Sequence, residues 1–364
     1  MEIRRLNKKA IKEFIDSDEF NSMPYIPITK YRALSHLANP RASDDDILLF
    51  LALEDNKMVG YLGILADYLY DGETIYKVGW LSTSWIDPSQ RRKGIAGKIL
   101  RDALDAWNNR IVVADWTPSV DGVYRKSGIF ADFASREGVQ AYLRFNLRET
   151  LSINETMFGK IILNAADKIL NTFNLLRLYF YNLDNHPPYE KMDRIDDESA
   201  QFMKRWNNSG TFRRSEKEME WILKYPWVVE KSSEYPTQDE RYRFSSVCNE
   251  FRTEVIKIRN NRDEMIALLI LTVRNKSLQL PYLYYQTDHV EAVARFVYHY
   301  MYVNKIKMVV LYDSTLTNYI LTNKTPFISK HKTKIPYFIT KEMAEKLTDD
   351  QRIIQDGDGE RIFT

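Results

Sequence analysis

Residues Ile86–Leu100 read Ile-Asp-Pro-Ser-Gln-Arg-Arg-Lys-Gly-Ile-Ala-Gly-Lys-Ile-Leu, and this stretch decides how the chain folds. Upstream, the apolar run from Val78 to Ile86 reads as a strand that stops at Asp87-Pro88. A short basic loop follows with Arg91, Arg92 and Lys93, then Gly94, Ala96 and Gly97. An amphipathic helix opens there, with Ile95, Ile99, Leu100, Leu104 and Trp107 at helical spacing. A helix amino terminus presents unpaired backbone N–H groups and about half a positive charge. Residues without bulky side chains let a diphosphate approach those amides, and the cations add longer-range attraction. The spacing predicts a phosphate cradle.

The two commonest phosphate loops do not fit. The chain has no G-x-x-x-x-G-K-[ST] here, and no G-x-G-x-x-G followed about twenty residues on by an acidic residue. What fits is R-x-x-G-x-A at Arg91, Gly94 and Ala96. In this position it resembles the pyrophosphate loop of the GNAT acyltransferase superfamily. A second stretch, Tyr124-Arg-Lys-Ser-Gly128-Ile-Phe130, is similar to the family's Y-x-x-x-G-F segment, with one residue inserted before the Phe.

The resemblance implies acetyl-CoA as co-substrate, held by Trp85, Ile86, Arg91, Arg92, Lys93, Gly94, Ile95, Ala96, Gly97 and Lys98, and no metal. It implies a bulged strand over Ser82–Asp87 whose backbone meets the pantetheine arm, with the Ile86 N–H facing the thioester oxygen. Tyr124 matches the tyrosine that protonates the departing sulfur. Strand positions where many members carry a carboxylate hold Trp80, Ser82, Ser84 and Trp85 instead. Asp115, after the buried strand Ile111–Ala114, and Asp67, at the end of a hairpin strand, are therefore the candidate bases; each also reads as an ordinary strand-end carboxylate.

The element order carries the resemblance across residues 1–150. Helices over Lys8–Asp16 and Lys30–Leu37 precede strands over Ile47–Leu53, Val59–Tyr68 and Ile75–Ile86. The cofactor helix Gly94–Trp107, the strand Ile111–Ala114, a short helix Asp121–Ser127 and a strand Gly138–Leu147 follow. Residues 151–198 read as a connecting unit. Within it, Thr150–Asn182 is one long amphipathic helix, with Phe158, Ile161, Ile162, Ala165, Ile169, Phe173, Leu176 and Phe180 in a stripe. Packing between the two halves is the expected use of that stripe, and a membrane surface is the alternative. Asn182–Ser199, with Pro187-Pro188, reads as a linker.

Residues 199–364 repeat the order of the first part: hairpin (Phe251–Ile258, Glu264–Arg274), long strand (Ser277–Tyr285), helix (Asp288–Val303), buried strand (Met308–Tyr312), short helix (Ser314–Leu321) and strand (Lys334–Thr340). Pro281 sits inside the third strand, where a normal central strand would reject it; the GNAT resemblance implies a bulge there that tolerates it. The equivalent loop, Tyr285-Gln-Thr-Asp-His289, has no glycine or arginine, and Asp288 opposes a diphosphate. The expected fold is thus α/β with mixed sheets, two GNAT-like domains in tandem, the second degenerate and unable to bind CoA.

Composition agrees with a packed globular protein long enough for two domains: 44% of the 364 residues are hydrophobic, and 52 Lys and Arg nearly balance 50 Asp and Glu. That balance gives no general attraction to nucleic acid or to an anionic membrane. A lone Cys248 excludes an internal disulfide and reads as a small buried hydrophobe, and the five His residues lack ligand spacing. The charged start and the lack of a long apolar run read as a cytoplasmic protein without a membrane span. The tail Asp356-Gly-Asp-Gly-Glu360 reads as a flexible acidic terminus. The expected function is transfer of an acetyl or other acyl group from acyl-CoA to the amine of a small molecule or sugar. The alternatives are an acyl-CoA-binding accessory or sensor protein with little turnover, and a tRNA-dependent aminoacyl transferase.

Overall fold

The structure is a computed structural model and describes residues 1–114, 124–125, 127–147, 157–207, 209–348 and 352–363. Two compact units divide the chain. Met1–Ser135, Arg194–Phe251 and Ile335–Thr364 form the first, and Arg136–Asp193 and Arg252–Lys334 the second. These units do not follow the sequential bounds 1–150, 151–198 and 199–364. Each sheet takes a strand from the other part of the sequence, so the chain crosses between units several times.

The first unit carries β1 (Glu2–Leu6), β2 (Leu49–Glu54), β3 (Lys57–Asp71), β4 (Thr74–Ile86), β5 (Ile111–Ala114) and the carboxyl-terminal part of β14 (Ser329–Thr340), hydrogen-bonded in that order. The β2–β3 turn holds Asp55 and Asn56 at φ of 50° and 60°. That left-handed geometry is one that short polar side chains tolerate. β4 and β5 run parallel, whereas β14 returns antiparallel to β5 through Tyr337↔Ala114, Phe338↔Val113 and Ile339↔Val112. Helices α1 (Lys8–Ile15), α2 (Asp18–Ser22), α3 (Lys30–Ala38) and α4 (Ile95–Ala106) belong to this unit. The apolar face of α4 buries Ile95, Ile99, Leu100, Ala103 and Leu104 in a core with Phe50, Tyr61, Ile64 and Ile111. The short helix expected at Asp121–Ser127 lies mostly outside the described residues, although Tyr124 and Arg125 are helical.

The second unit orders its strands as β6 (Phe130–Tyr142, from Arg136 on), β13 (Met308–Leu311), β12 (Ser277–Tyr285), β11 (Met265–Arg274), β10 (Phe251–Arg259, from Arg252 on) and β7 (Tyr189–Met192). Its design echoes the first. β12 and β13 are parallel, and the β11–β12 register shifts between Ile270 and Thr272, leaving Leu280 and Pro281 opposite Leu271. The bulge anticipated from Pro281 is therefore present, since a proline that cannot donate to the ladder is tolerated where pairing is already interrupted. In β3–β4 the corresponding shift leaves Ser82 and Thr83 opposite Gly63.

Several expectations are corrected. The 182–199 stretch is not only a linker, because Tyr189–Met192 pairs antiparallel with β10. The helix expected over Asp288–Val303 begins at Val290, and Asp288 lies in the 3-10 turn Thr287–His289 before it. Over its described residues, the long helix α5 (Met157–Tyr179) leaves much of its apolar stripe in solvent, including Ile162, Ile169, Phe173 and Leu176. The acidic tail is not a flexible terminus: Ile354, Asp356, Asp358, Ile362 and Phe363 are all buried. Phe363 stacks on Trp227 with ring centroids 4.6 Å apart and an 11° interplanar angle. An exposed acidic chain would gain nothing by ordering, but burial of Ile362 and Phe363 offsets the lost entropy.

Candidate active site

The first unit assembles the site at the carboxyl-terminal end of β4. Asp87 N donates to Val59 O at 2.9 Å, with Trp85 opposite Tyr61 and Ile86 opposite Gly60. Antiparallel ladders alternate, so Ser84 and Ile86 direct their backbone groups to the opposite edge of β4. Among the described residues, β5 covers that edge only at Gly79↔Ile111 and Trp80↔Val112. The two parallel strands therefore part beyond Trp80. The Ile86 N–H points to that edge of β4. Gly60 lets the strands approach here, since a Cβ on it would stand 2.5 Å from Ile86 Cδ1.

The loop after β4 has the form that the sequence required. Asp87 Oδ1 accepts from Ser89 N at 2.8 Å and from Ser89 Oγ at 2.7 Å, and these bonds hold its carboxyl below the usual range. Arg92 and Gly94 take φ of 66° and 77°, and Gly94 is the α4 N-cap with no side-chain bond. No atom lies within 4 Å of a Cβ built on Gly94. Lys98 N is the first amide to bond within the helix, to Gly94 O at 3.1 Å. The amides of Ile95, Ala96 and Gly97 thus have no intrahelical acceptor. Arg91, Arg92, Lys93, Ala96 and Lys98 are exposed, Gly97 is half-exposed and Ile95 is buried beneath. Trp85 stacks on Tyr61 at 5.8 Å and meets Tyr25 at 5.0 Å.

Tyr124 packs edge-to-face on Phe130, with centroids 5.4 Å apart. Burial, with a smaller contribution from the Glu360 carboxylate, pushes its phenol up to about 12. The group therefore stays protonated through the neutral range and is a hydrogen-bond donor there. Full proton transfer to a thiolate of ordinary basicity would be uphill by roughly 5 kcal/mol.

Of the two candidate bases, Asp115 lies outside the described residues. Asp67 is corrected to a structural anion. Its Oδ1 accepts from Arg41 Nη1 at 2.5 Å and Arg214 Nη1 at 2.7 Å, and its Oδ2 from Arg214 Nη2 at 2.8 Å and Trp80 Nε1 at 3.0 Å. All three charged side chains are buried. Desolvation opposes ionisation of Asp67, but the two guanidiniums outweigh it and hold the carboxyl far below the usual range. A carboxylate so placed is a very poor proton acceptor.

Sequence reasoning missed Glu360. The docked tail brings its side chain to the β4 bulge, where Ser82 Oγ donates to Glu360 Oε2 and Arg32 Nη2 donates to Ser82 Oγ. Arg32 Nη2 stands 3.5 Å from the same Glu360 oxygen. Arg32 is itself buried, with its guanidinium 3.9 Å from the Trp227 ring centroid and Nη1 donating to Tyr242 Oη at 2.8 Å. A carboxylate thus reaches the strand that lacks one in sequence. The signal available beforehand was Ile362-Phe363 directly after the acidic run, an apolar anchor at odds with a solvated tail. Among the described residues no group of three or more His, Cys, Asp or Glu is arranged to hold a metal ion.

Residues 11–128 match the sequence model of the Acetyltransferase (GNAT) family, and this part of the chain is a GNAT domain. Solved structures share the fold. A GCN5-related N-acetyltransferase from Anabaena variabilis superposes with a TM-score of 0.52 at 11% identity, covering 93% of this chain and 71% of that one. A probable N-acyltransferase from Enterococcus faecalis gives 0.51 at 10%, covering 93% and 72%. Saccharomyces cerevisiae N-myristoyltransferase with bound myristoyl-CoA gives 0.50 at 9%, covering 93% and 78%. At these identities the likeness is one of fold. No curated protein sequence matches the chain.

Proposed function

We propose that the first unit is an acyl-CoA-dependent N-acyltransferase, most simply an acetyltransferase acting on the amine of a small molecule or sugar. The observation that carries this reading is the open α4 amino terminus, with left-handed Gly94 and exposed basic loop, next to a bulged β4 that has parted from β5. The amides of Ile95, Ala96 and Gly97, with Arg91, Arg92, Lys93 and Lys98, hold the diphosphate. Trp85 and the free edge of β4 hold the pantetheine arm. The Ile86 N–H binds the developing oxyanion, and Tyr124 donates to the leaving sulfur.

Glu360 takes the role of general base in place of Asp67. Its carboxylate accepts a proton from the acceptor ammonium, directly or through one water. The amine nitrogen then attacks the thioester carbon, the C–N bond forms, and the C–S bond breaks with the sulfur leaving as thiolate beside the Tyr124 hydroxyl. The second nitrogen proton, shed as the amide forms, passes through solvent to that sulfur and gives the free thiol. Arg32 and Ser82 orient that carboxylate. The Glu360 carboxylate beside β4, a strand without a carboxylate of its own at the family's position, supports turnover over the alternative of a CoA-binding accessory protein. The second unit repeats the bulge and the parallel strand pair, which supports a tandem origin. Its Gln286–His289 turn lacks glycine and arginine, which supports the reading that it binds no diphosphate.

Isothermal titration with acetyl-CoA tests the binding half of this proposal, and thiol release from acetyl-CoA with pooled amines and amino sugars tests turnover. Saturable binding that Gly94→Glu abolishes is expected. A wild-type chain that does not bind acetyl-CoA ends the proposal.

A further inference from the structure

Helix α5 is built inside out. Its polar residues face the protein: Asn171 Oδ1 accepts from Phe145 N at 2.9 Å, and Asn171 Nδ2 donates to Phe145 O at 3.0 Å. Asp167 Oδ1 accepts from Leu147 N at 2.8 Å, and Asn174 Nδ2 donates to Leu143 O at 2.8 Å. These side chains serve the backbone that follows β6 and fix the helix by hydrogen bonds. The apolar stripe is left in water, with Ile169 57%, Phe173 67%, Leu176 65% and Phe180 84% exposed. Soluble surfaces rarely carry such a contiguous row without a partner.

A cavity of about 510 Å³ opens where this helix ends, lined in part by Arg177, Phe180, Arg295, Tyr298 and Lys324, with no carboxylate in its wall. Arg177 Nη2 donates to Pro326 O at 2.5 Å, Arg295 also pairs with Glu291 at 2.7 Å, and Lys324 Nζ stands 5.7 Å from the Tyr181 ring centroid. Tyr298 is only 8% exposed, and its hydroxyl has no hydrogen-bond partner among the described residues. A buried hydroxyl left unmatched in a cavity also lined by Arg177, Arg295 and Lys324 suits an anionic oxygen ligand.

We propose that the second unit docks on an anionic lipid bilayer. The α5 stripe enters the headgroup–acyl boundary, and the cavity at its end receives a phosphate-bearing headgroup. Ring and aliphatic residues on an in-plane helix, with cations beside them, are the pattern that binds such interfaces. Charge complementarity selects this occupant over a neutral surface, because no acidic side chain lines the cavity. Among the described residues no helix is long and apolar enough to cross a membrane, so the contact lies on the surface.

The test is sedimentation of the full chain with vesicles of phosphatidylcholine alone and of phosphatidylcholine with about one-third phosphatidylglycerol. Partitioning at least 10-fold stronger on the anionic vesicles is expected, and it should weaken in high salt. F173S with L176S, both exposed, and separately K324E should each reduce partitioning 10-fold or more while leaving acetyl-CoA affinity unchanged. Equal, or no, binding to the two vesicles overturns the proposal. So does a wild-type dimer in sedimentation equilibrium that F173S with L176S converts to monomer, because the stripe would then be a contact between copies of this chain.

Discussion

Asp67→Asn separates a structural carboxylate from a catalytic one. In the wild type the carboxylate neutralises Arg41 and Arg214, both within 2.5–2.8 Å and both buried, and accepts from Trp80 Nε1 at 3.0 Å. An asparagine keeps one acceptor oxygen but turns an NH2 toward a guanidinium. It also leaves two buried cations whose nearby carboxylates are Glu218, 3.2 Å from Arg41, and Asp358, 3.4 Å from Arg214. Removing one partner of a buried pair costs about 3–5 kcal/mol. For a unit of this size that corresponds to a fall in Tm of roughly 6–20 °C. The carboxyl is held below its unfolded value, so its stabilisation is present above the unfolded carboxylate range and is lost as pH falls through the folded value. The gap between wild type and variant should therefore be constant from pH 6 to 8 and close only in acid. Thermal unfolding across pH measures it, with acetyl transfer assayed at a temperature where both chains are folded. A variant with wild-type Tm and no activity would refute the reasoning and restore Asp67 as a base.

Other outcomes follow from the same contacts. Glu360→Gln should lower kcat by about 10²–10⁴ and leave acetyl-CoA affinity within a factor of two, read by steady-state kinetics and calorimetry. Tyr124→Phe should reduce kcat without producing or removing a limb of the pH–rate profile below about pH 10, because the phenol is protonated throughout that range. Phe363→Ala should destabilise by about 3–5 kcal/mol in chemical unfolding and lower activity through the tail, since Phe363 is only 1% exposed. Gly94→Ala should cost about 1–2 kcal/mol of stability at φ 77°, whereas Gly94→Glu should abolish CoA binding by placing a carboxylate where the diphosphate enters.

The legible parts of this protein were those set by short-range rules. The hairpin at Asp55-Asn56, the capping box of Ser215 and Glu218 on the helix Glu216–Lys224, the bulge at Pro281 and the basic loop opening α4 all follow from neighbouring residues. Backbone sterics and local hydrogen bonds act within a few positions, and side-chain periodicity reports the buried face directly. Such rules recovered most strands and the left-handed basic loop that opens α4. They misread α5, because its inward face is held by Asn and Asp bonds to the backbone after β6 rather than by its apolar stripe.

What the sequence by itself determined is the GNAT domain and the glycine-opened basic loop before α4, because a helix start with free amides needs only its own residues. Only the tertiary structure decided where the charges belong. Asp67 and Glu360 are both plain carboxylates in the sequence, yet one is enclosed by Arg41 and Arg214 and the other is delivered by the carboxyl-terminal tail to Ser82. Residues separated by 278 positions meet there, and the proton affinity of a carboxylate is set by the charges and solvent that folding places around it.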